Sequence, residues 1–303
     1  MIRVPREVCV DLDQALSKEW LVSNGIGGYA SGTVTGVNTR RYHGLLVASL
    51  EPPVARTVLL SNIDEEAEIG GRTFYLGANE YPDSKIHPGG FVHIAAFSIE
   101  AGVVTTRFRL GNSVLHKSIW MENGHNTTYI RYTYVEGEGE CCLALHTMCN
   151  YRDYHEITRG NLDWNFNVQT VEGGCRIEAR TGATPFWLTT SPAAEFTHTG
   201  VWYWNFVYRR EVERGFPERE DLYLPGVFRA VLQPGESVTL IAATEPPEAT
   251  AALMKGALAR EHARQQGLLK QANFKNSGAE LGDPTTSIAA FAAQLVTSAD
   301  QFM

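Results

Sequence analysis

The sequence predicts a mainly β protein, a large antiparallel β-sandwich followed by linker helices. Three observations support this fold class. Segments of β-type alternation recur from about residue 30 to residue 243, turn signals rich in glycine separate them, and no helical pattern lies between them. Strands that follow one another without crossover helices pair in antiparallel sheets, and two such sheets can enclose one core.

The strand pattern is clearest in two segments. Residues 103–110 alternate apolar and polar side chains, and residues 127–135 place Tyr129 on the face opposite Ile130 and Tyr132. The other predicted strands are residues 45–48, 143–145, 166–171, 175–179, 186–190, 227–232 and 238–243. Turn signals at residues 136–139, 172–174 and 233–236 separate several of them.

The pattern becomes helical after Pro246 and Pro247. Residues 248–271 are rich in alanine, leucine, lysine, arginine and glutamine, which are strong helix formers. A loop follows, and apolar residues recur at helical spacing from Ile288 to Phe302. We expect a β-sandwich domain over residues 1–245, a linker helix and loop over 246–286, and the start of a truncated helical domain over 287–303. A terminal helix that docks on the sandwich is the alternative.

Composition narrows the possible partners. The net charge of −8 argues against nucleic acid and anionic membranes. No apolar run approaches the roughly 18–20 residues of a membrane span, and the first residues lack the apolar stretch of a signal peptide. Five cysteines, an odd number, fit reduced thiols, so we expect a cytoplasmic protein. No histidine pair has metal-ligand spacing, and we expect neither a metal nor a cofactor.

The segment 19–48 is the most unusual part of the chain. It contains six glycines and a G-x-G-x-x-A match from Gly25 to Ala30, but β- and turn-forming residues follow where a dinucleotide site needs a helix. The polar run before the strand at residue 45 is a better candidate for a ligand site, because the planar guanidinium group of arginine suits vicinal hydroxyls or carboxylates. Pairing of these arginines with acidic residues at a domain interface is equally open. The candidates are Trp20, Asn24, Asn38, Arg40, Arg41, Tyr42 and His43.

Two further clusters combine charge with aromatic rings. In residues 151–155, Asp153 can orient His155 or pair with Arg152, and His155 is either a general base or a structural histidine. Residues 201–221 hold aromatics that suit sugar stacking or a core, followed by a nearly neutral charged run that indicates an ion-pair network. The candidates in this third cluster are Trp202, Asn205, Glu211 and Arg214.

Together, the three clusters resemble the N-terminal domain of the bacterial and archaeal type of glycogen debranching enzyme, the amylo-α-1,6-glucosidase group. The resemblance rests on EWLVSNGIGGYASGTVTGVNTRRYHGLLVA, YRDYH and WYWNFVYRREVERGFPEREDLYLPGVF, and it spans essentially the whole chain. It implies a glucoamylase-like arrangement, in which a β-supersandwich precedes an (α/α)6 barrel. It also implies inverting hydrolysis of α-1,6 branch points in glycogen or maltodextrin by two carboxylic acids.

In the architecture that the resemblance implies, both catalytic acids lie on the barrel, so we assign no catalytic residue to this chain and expect it to be inactive alone. The expected partners are an α-glucan and the C-terminal (α/α)6 domain of the same protein. The residues of the three clusters are expected to contact the glucan or to dock that domain. Two other functions stay open: a self-sufficient carbohydrate-binding module, and a mutarotase-like sugar epimerase with His155 as its first candidate histidine.

Overall fold

A computed structural model describes residues 2–272 and 295–300, and these residues form two large antiparallel sheets. The first sheet has nine strands, in the spatial order β1 (Ile2–Pro5), β9 (Ile94–Glu100), β10 (Val103–Leu110), β11 (Ser113–Met121), β12 (Thr127–Glu136), β19 (Ser237–Ala243), β16 (Phe186–Ser191), β15 (Gly174–Glu178) and β14 (Asn167–Val171). The mainly β, antiparallel fold expected from the sequence is therefore confirmed.

The second sheet has eight strands and carries the three sequence clusters. Its spatial order is β17 (Glu195–Val207), β18 (Arg219–Leu232), β13 (Cys141–Asp153), β5 (Val54–Ile69), β4 (Gly44–Glu51), β3 (Tyr29–Thr33) and β2 (Glu19–Ser23), with β6 (Arg72–Tyr75) paired to β5. A separate hairpin of β7 (Ala78–Tyr81) and β8 (Lys85–Gly89) follows β6.

One hydrophobic core joins the inner faces of the two sheets. The alternation predicted for β12 is correct, because Ile130 and Tyr132 enter this core while Tyr129 packs in a second cluster on the opposite face. The core also encloses one ion pair. Glu65 of β5 accepts hydrogen bonds from Lys117 Nζ and Tyr132 Oη, which satisfies a carboxylate with only 2% exposure.

Two features of the strand prediction were incomplete. The strands begin at residue 2 rather than near residue 30, and the glycine-rich segment 19–48 supplies three strands of the second sheet. In this segment, glycine leaves room for neighbouring side chains as well as permitting turns. Gly32 lies opposite Trp20 in the β2–β3 pairing, and a Cβ atom at Gly32 would lie 3.3 Å from the Trp20 indole.

The helices are short except near the end of the described chain. They are α1 (Arg6–Cys9), α2 (Leu12–Leu16), α3 (Arg209–Glu213), α4 (Pro247–Met254) and α5 (Ala257–Gln271), with 3-10 turns at Pro82–Ser84 and Gly90–His93. The single helix predicted over 248–271 is wrong. Lys255 is extended and Gly256 has a φ of +82°, which ends one helix and starts another.

Helix α5 is held on the outer face of the nine-stranded sheet. Ala257 packs with Trp120 and Tyr129, and Arg260 donates hydrogen bonds to Glu122 at 2.8 and 2.9 Å. Residues 295–300 are helical, and Arg264 of α5 contacts Asp300 at 2.8 Å. The predicted loop at 276–284 and the predicted helix start near residue 287 lie outside the described residues. No helix in the described ranges is long and apolar enough to cross a membrane.

Candidate functional site

Parts of all three sequence clusters meet on the outer face of the eight-stranded sheet. The loop between β3 and β4, the segment after β13 and the connection between β17 and β18 lie against one another there. We call the partly exposed part of this contact the arginine–aromatic surface. It consists of Arg41, Tyr42, Tyr154, His155, Arg214 and Phe216.

Arg41 occupies the centre of the arginine–aromatic surface. Its guanidinium carbon lies 5.3 Å from the centre of the Tyr42 ring and 4.9 Å from that of Phe216. Arg214 lies at 4.9 Å from the same Phe216 ring. Both arginines approach one buried carboxylate, Glu211, whose Oε2 is 3.7 Å from Arg41 Nε and 3.4 Å from Arg214 Nη1. The surface therefore combines two cations, one anion and two ring faces.

Two polar atoms at this centre lack hydrogen-bond partners. Within the described part of the chain, neither Arg41 Nε nor Glu211 Oε1 has a partner, although both atoms are buried. The distance of 3.7 Å between Arg41 Nε and Glu211 Oε2 is longer than a hydrogen bond. Buried polar atoms in native proteins are almost always paired, so this donor and this acceptor leave hydrogen-bonding capacity unused.

The second ring pair lies beside Tyr42. The Tyr154 and His155 rings are 5.5 and 5.7 Å from the Tyr42 ring, and Tyr29 Oη donates a hydrogen bond of 2.7 Å to the Tyr42 carbonyl oxygen. His155 Nδ1 lies 3.0 Å from Asp153 Oδ1, and both side chains are about half exposed. Of the two roles predicted for the Asp153 carboxylate, the structure shows contact with His155, whereas Arg152 reaches only the Asp153 carbonyl oxygen, at 3.2 Å.

A buried network below the surface joins the three segments. Glu220 of β18 accepts hydrogen bonds from Arg152, from the Thr158 N–H at 3.0 Å and from Tyr208 Oη. The other end of the Arg152 guanidinium donates to the Arg41 carbonyl oxygen at 2.7 Å. Burial by itself would lower the pKa of Arg152, but Glu220 and Tyr208 outweigh it and raise that pKa, so the guanidinium stays charged.

His43 has a structural position in the same loop. The Thr39 N–H donates to His43 Nδ1 at 3.1 Å, and Nε2 lies 3.7 Å from Glu19 Oε1. Arg40 donates to the same Glu19 oxygen at 2.6 Å, so Arg40 has the acidic partner that the sequence left open. Burial, with a further contribution from Arg40, lowers the pKa of His43 to about 3, and the imidazole is neutral.

We expect the neutral state of His43 to make the fold sensitive to acid. Its pKa is about 3 when folded and 6.5 ordinarily, so below pH 6.5 the unfolded chain binds a proton that the folded chain does not. The free energy of unfolding should fall by roughly 2–3 kcal/mol from this residue alone between pH 7 and about pH 4.5. Urea unfolding across this pH range should show a shallower fall for His43→Gln than for the wild type. His155→Gln, at an exposed position, is the control, and equal pH slopes for His43→Gln and the wild type would contradict the assignment.

The other predicted site residues make contacts within the domain. Trp20 donates to the Thr33 carbonyl oxygen at 3.1 Å, and Asn38 donates to the Ser61 carbonyl oxygen at 3.0 Å. Asn24 Oδ1 accepts from the Gly28 N–H at 2.9 Å, which closes the glycine turn that resembled a nucleotide motif. These contacts give each residue a local structural role, and its contact with a ligand stays a prediction.

Trp202 and Asn205 also have contacts within the domain. Trp202 is 8% exposed and donates to the Trp164 carbonyl oxygen at 2.7 Å. Asn205 has a φ of +63°, and its N–H donates to Asp221 Oδ1 at 2.8 Å, where β17 departs from regular pairing. A role in ligand contact stays a prediction for both residues.

Sequence reasoning missed four residues that build the arginine–aromatic surface or support it. Phe216 and Tyr154 were within the quoted clusters, and their aromatic character next to arginines was the available signal. Glu220 and Tyr208 lie in the third cluster, whose charged run indicated an ion-pair network, but the sequence did not reveal their partner Arg152, which is 68 positions before Glu220. The described residues contain no group of three or more histidine, cysteine or acidic side chains that could hold a metal.

The chain thus combines an antiparallel β-sandwich with a charged, aromatic surface built from loops. It belongs to the family described as glycogen debranching enzyme N terminal, whose model matches residues 18–239. This range includes the whole of the segment 19–48 and both later clusters. No curated protein matches the chain in sequence.

Solved structures give weaker similarities. A bacterial glucoamylase complexed with acarbose has 10% identity and a TM-score of 0.37, over 83% of this chain and 36% of that one. A protein of Escherichia coli K12 provisionally assigned as an aldose 1-epimerase has 12% identity and a TM-score of 0.35, over 75% and 98%. A polysaccharide lyase has 13% identity and a TM-score of 0.29, over 67% and 25%. The chain spans just over a third of the length of the glucoamylase.

Proposed function

We propose that this chain is the substrate-contacting N-terminal domain of a cytoplasmic enzyme that hydrolyses α-1,6-glucosidic branch points in glycogen or maltodextrin. The catalytic carboxylic acids would lie on a C-terminal (α/α)6 domain, and the chain alone would be inactive. Membership of the glycogen debranching enzyme N-terminal family supports the reaction. The observation that carries the proposed role is the exposed pair of Arg214 and Phe216, whose side chains are 43% and 42% exposed, next to Arg41.

The chemistry of this surface favours a neutral, hydroxyl-rich ligand. The guanidinium groups of Arg214, 43% exposed, and Arg41, 13% exposed, offer hydrogen-bond donors to sugar hydroxyls, and the Glu211 carboxylate beside both offsets their charge. Phe216 is 42% exposed and Tyr42 is half-buried, so the parts of these rings that the arginines leave uncovered can contact the C–H face of a glucose ring. An anionic ligand would meet Glu211, and a wholly apolar ligand would cover the two guanidinium groups without bonding to them.

The two buried carboxylates below this surface, Glu211 and Glu220, are committed to ion pairs, which supports an inactive fragment. Glu220 is fully buried and accepts hydrogen bonds from Arg152, Thr158 and Tyr208. Glu211 is also fully buried and approaches two arginines. An inverting glycosidase needs one acid that protonates the leaving oxygen and one carboxylate that activates a water molecule, and a fully buried, ion-paired carboxylate suits neither role.

The test is the activity of a longer chain that continues past Met303. Arg41→Ala is expected to lower glucose release from a branched limit dextrin about 10- to 100-fold, the range for losing one hydrogen bond to a charged group. Because Arg41 makes no full hydrogen bond to Glu211, the melting temperature should change much less than the activity. Glucose release and thermal unfolding are measured on the same preparations.

Arg40→Ala is the matched control for Arg41→Ala. It removes the same charge from the adjacent position, but Arg40 pairs with Glu19 at the edge of the loop. Its activity should stay near that of the unmodified longer chain. Equal activity losses for the two variants, or a loss of stability that accounts for the activity loss of Arg41→Ala, would assign Arg41 a structural role. Glucose release by the 303-residue chain alone would overturn the proposed division of labour.

A further inference from the structure

A second concave site lies on the outer face of the eight-stranded sheet. Strands β5 and β13 form its floor, and β6, the β7–β8 hairpin and β17 supply its walls. Its volume is about 330 Å³, within the roughly 300–1,000 Å³ of small-molecule sites. The residues that carry the argument are Asp64, Glu66 and His146 on the floor and Tyr75, Tyr81 and Tyr203 on the walls. We call this site the floor cleft.

We propose that the floor cleft binds one hexopyranose unit, at a site separate from the arginine–aromatic surface. Arg152 lies six positions after His146 of the cleft on β13, which corresponds to about 15–20 Å along the strand. The ion pair between Glu80 and Arg209, at 2.7 and 3.0 Å, joins the β7–β8 hairpin to α3. The proposal depends on the residues of the cleft and not on the debranching role.

Strand register places the polar groups of the floor side by side. Asp64 and His146 are direct cross-strand partners on β5 and β13, so their side chains share one face of the sheet. Glu66 is two residues further along β5, and its Oε1 lies 3.5 Å from His146 Nε2. Within the described residues His146 Nε2 has no hydrogen-bond partner. Glu65, between the two acids, points to the opposite side and pairs with Lys117 in the core.

These groups provide both donors and acceptors near neutral pH. Asn79 Nδ2 donates to both oxygens of Asp64 at 2.7 and 2.9 Å and is itself oriented by Asn62 at 2.8 Å. Burial is the main cause that raises the pKa of Asp64 to about 7, so the carboxyl is protonated in part of the molecules. Burial also lowers the pKa of His146, which favours a neutral imidazole. Such a mixture matches hydroxyl groups, each of which donates and accepts.

The walls provide aromatic surface that is partly fixed and partly exposed. Tyr81 packs against Phe206 with ring centres 5.3 Å apart, which holds its position. Tyr203 and Tyr75 are 37% and 51% exposed. Exposed tyrosines beside a polar floor suit the apolar C–H face and the hydroxyl edge of a pyranose ring.

Other ligand classes fit the floor cleft less well. The described residues contain no group of three or more side chains arranged for a metal. An anion would meet Asp64 and Glu66, and an apolar ligand would cover Glu66 and leave His146 Nε2 without a partner. An organic cation would rely mainly on Glu66, because Asp64 is only partly ionised at neutral pH. A neutral sugar uses the acids, the imidazole and the rings together.

The test is a titration of the isolated chain with methyl α-glucopyranoside, followed by NMR of the histidine ring protons. We expect a saturable shift of the His146 resonances, and Glu66→Gln and Tyr203→Ala should each weaken binding about tenfold. Trp204→Ala is the matched control for Tyr203, since Trp204 is the adjacent aromatic, is 40% exposed and does not line the cleft. Thermal unfolding of each variant confirms that it is folded.

Each other outcome counts against the proposal. The absence of a saturable shift, or an equal loss in Trp204→Ala and Tyr203→Ala, would overturn it. Binding of glucosamine about tenfold tighter than glucose would indicate a cation site instead. Loss of binding in Arg41→Ala, with Glu66→Gln unaffected, would place the sugar at the arginine–aromatic surface. That last result would contradict a sugar site in the floor cleft, but it would not contradict the proposed function.

Discussion

Replacing Glu220 with glutamine is expected to destabilise the fold by about 3–5 kcal/mol, because it leaves the buried guanidinium of Arg152 without its counter-charge. The side chains of Arg152 and Glu220 are 3% and 0% exposed, so water cannot replace the lost interaction. Glu220 also accepts hydrogen bonds from Thr158 and Tyr208. The change therefore loosens three segments at once: the end of β13, the loop after it and the end of β17.

Urea unfolding followed by tryptophan fluorescence measures this effect. Glu213→Gln is the control, because it makes the same chemical change in an exposed pair with Arg210 at 2.7 Å and should cost less than about 1 kcal/mol. A double variant, Arg152→Met with Glu220→Leu, should be more stable than Glu220→Gln alone, since it removes both buried charges. If Glu220→Gln were no more destabilising than Glu213→Gln, the buried ion pair would not hold the loops.

Replacing Trp202 with alanine, as a single variant, should lower the free energy of unfolding by about 3–5 kcal/mol. This is the usual range for deleting a large buried aromatic side chain. The Trp202 ring centre lies 5.1 Å from that of Trp164, 5.8 Å from Phe166 and 5.3 Å from Tyr223. The backbone at Gly160 also approaches closely, because a Cβ atom there would lie 2.5 Å from the indole. Alanine would leave a cavity, and the protein would lose these contacts together with the hydrogen bond to the Trp164 carbonyl oxygen.

Comparison with Trp204→Ala tests whether the tryptophans of β17 stabilise the core or stack on a sugar. Trp204 is two residues away and 40% exposed, so its loss should cost at most about 1 kcal/mol. Unfolding free energies and maltooligosaccharide binding are measured for both variants. A Trp202→Ala protein that kept its stability but lost glucan binding would show that Trp202 contacts the ligand, as the sequence also allowed.

The strands with regular alternation could be predicted from the sequence because their signal is local. Strand β10 has the predicted bounds, and β12 and β19 differ from the prediction by one residue. In each of these strands, one face packs in a core, and the period of two is visible within a few residues. The family could likewise be inferred from long contiguous motifs, and the family model confirms it.

The faces of β17 could not be predicted, because a bulge changes the alternation. Trp202 and Phe206 are buried, whereas Trp204, which has the same parity, is exposed. The pairing of β17 with β18 shifts register between Tyr203 and Phe206, and Asn205 takes a positive φ there. A bulge depends on the partner strand, so the aromatic pattern of one segment did not reveal which rings face outward.

Helix α5 illustrates the same difference between local and long-range information. The composition of residues 248–271 correctly indicated helix, since helix propensity is a property of each residue. The break at Gly256 depends on docking as well, because Ala257 and Arg260 then face Trp120 and Glu122 of the nine-stranded sheet. These contacts come from residues more than 100 positions earlier in the chain.

The sequence by itself determined the antiparallel β class, most strand positions and the family, because hydrophobic alternation, turn residues and contiguous motifs are local properties. Only the tertiary structure decided the partner of each arginine. Arg40 meets Glu19, Arg41 lies beside Glu211, and Arg152 pairs with Glu220 rather than with Asp153, its neighbour in the chain. The physical reason is that the interaction between charges depends on distance and burial, and both are set by which strands and loops become neighbours in the folded sheet.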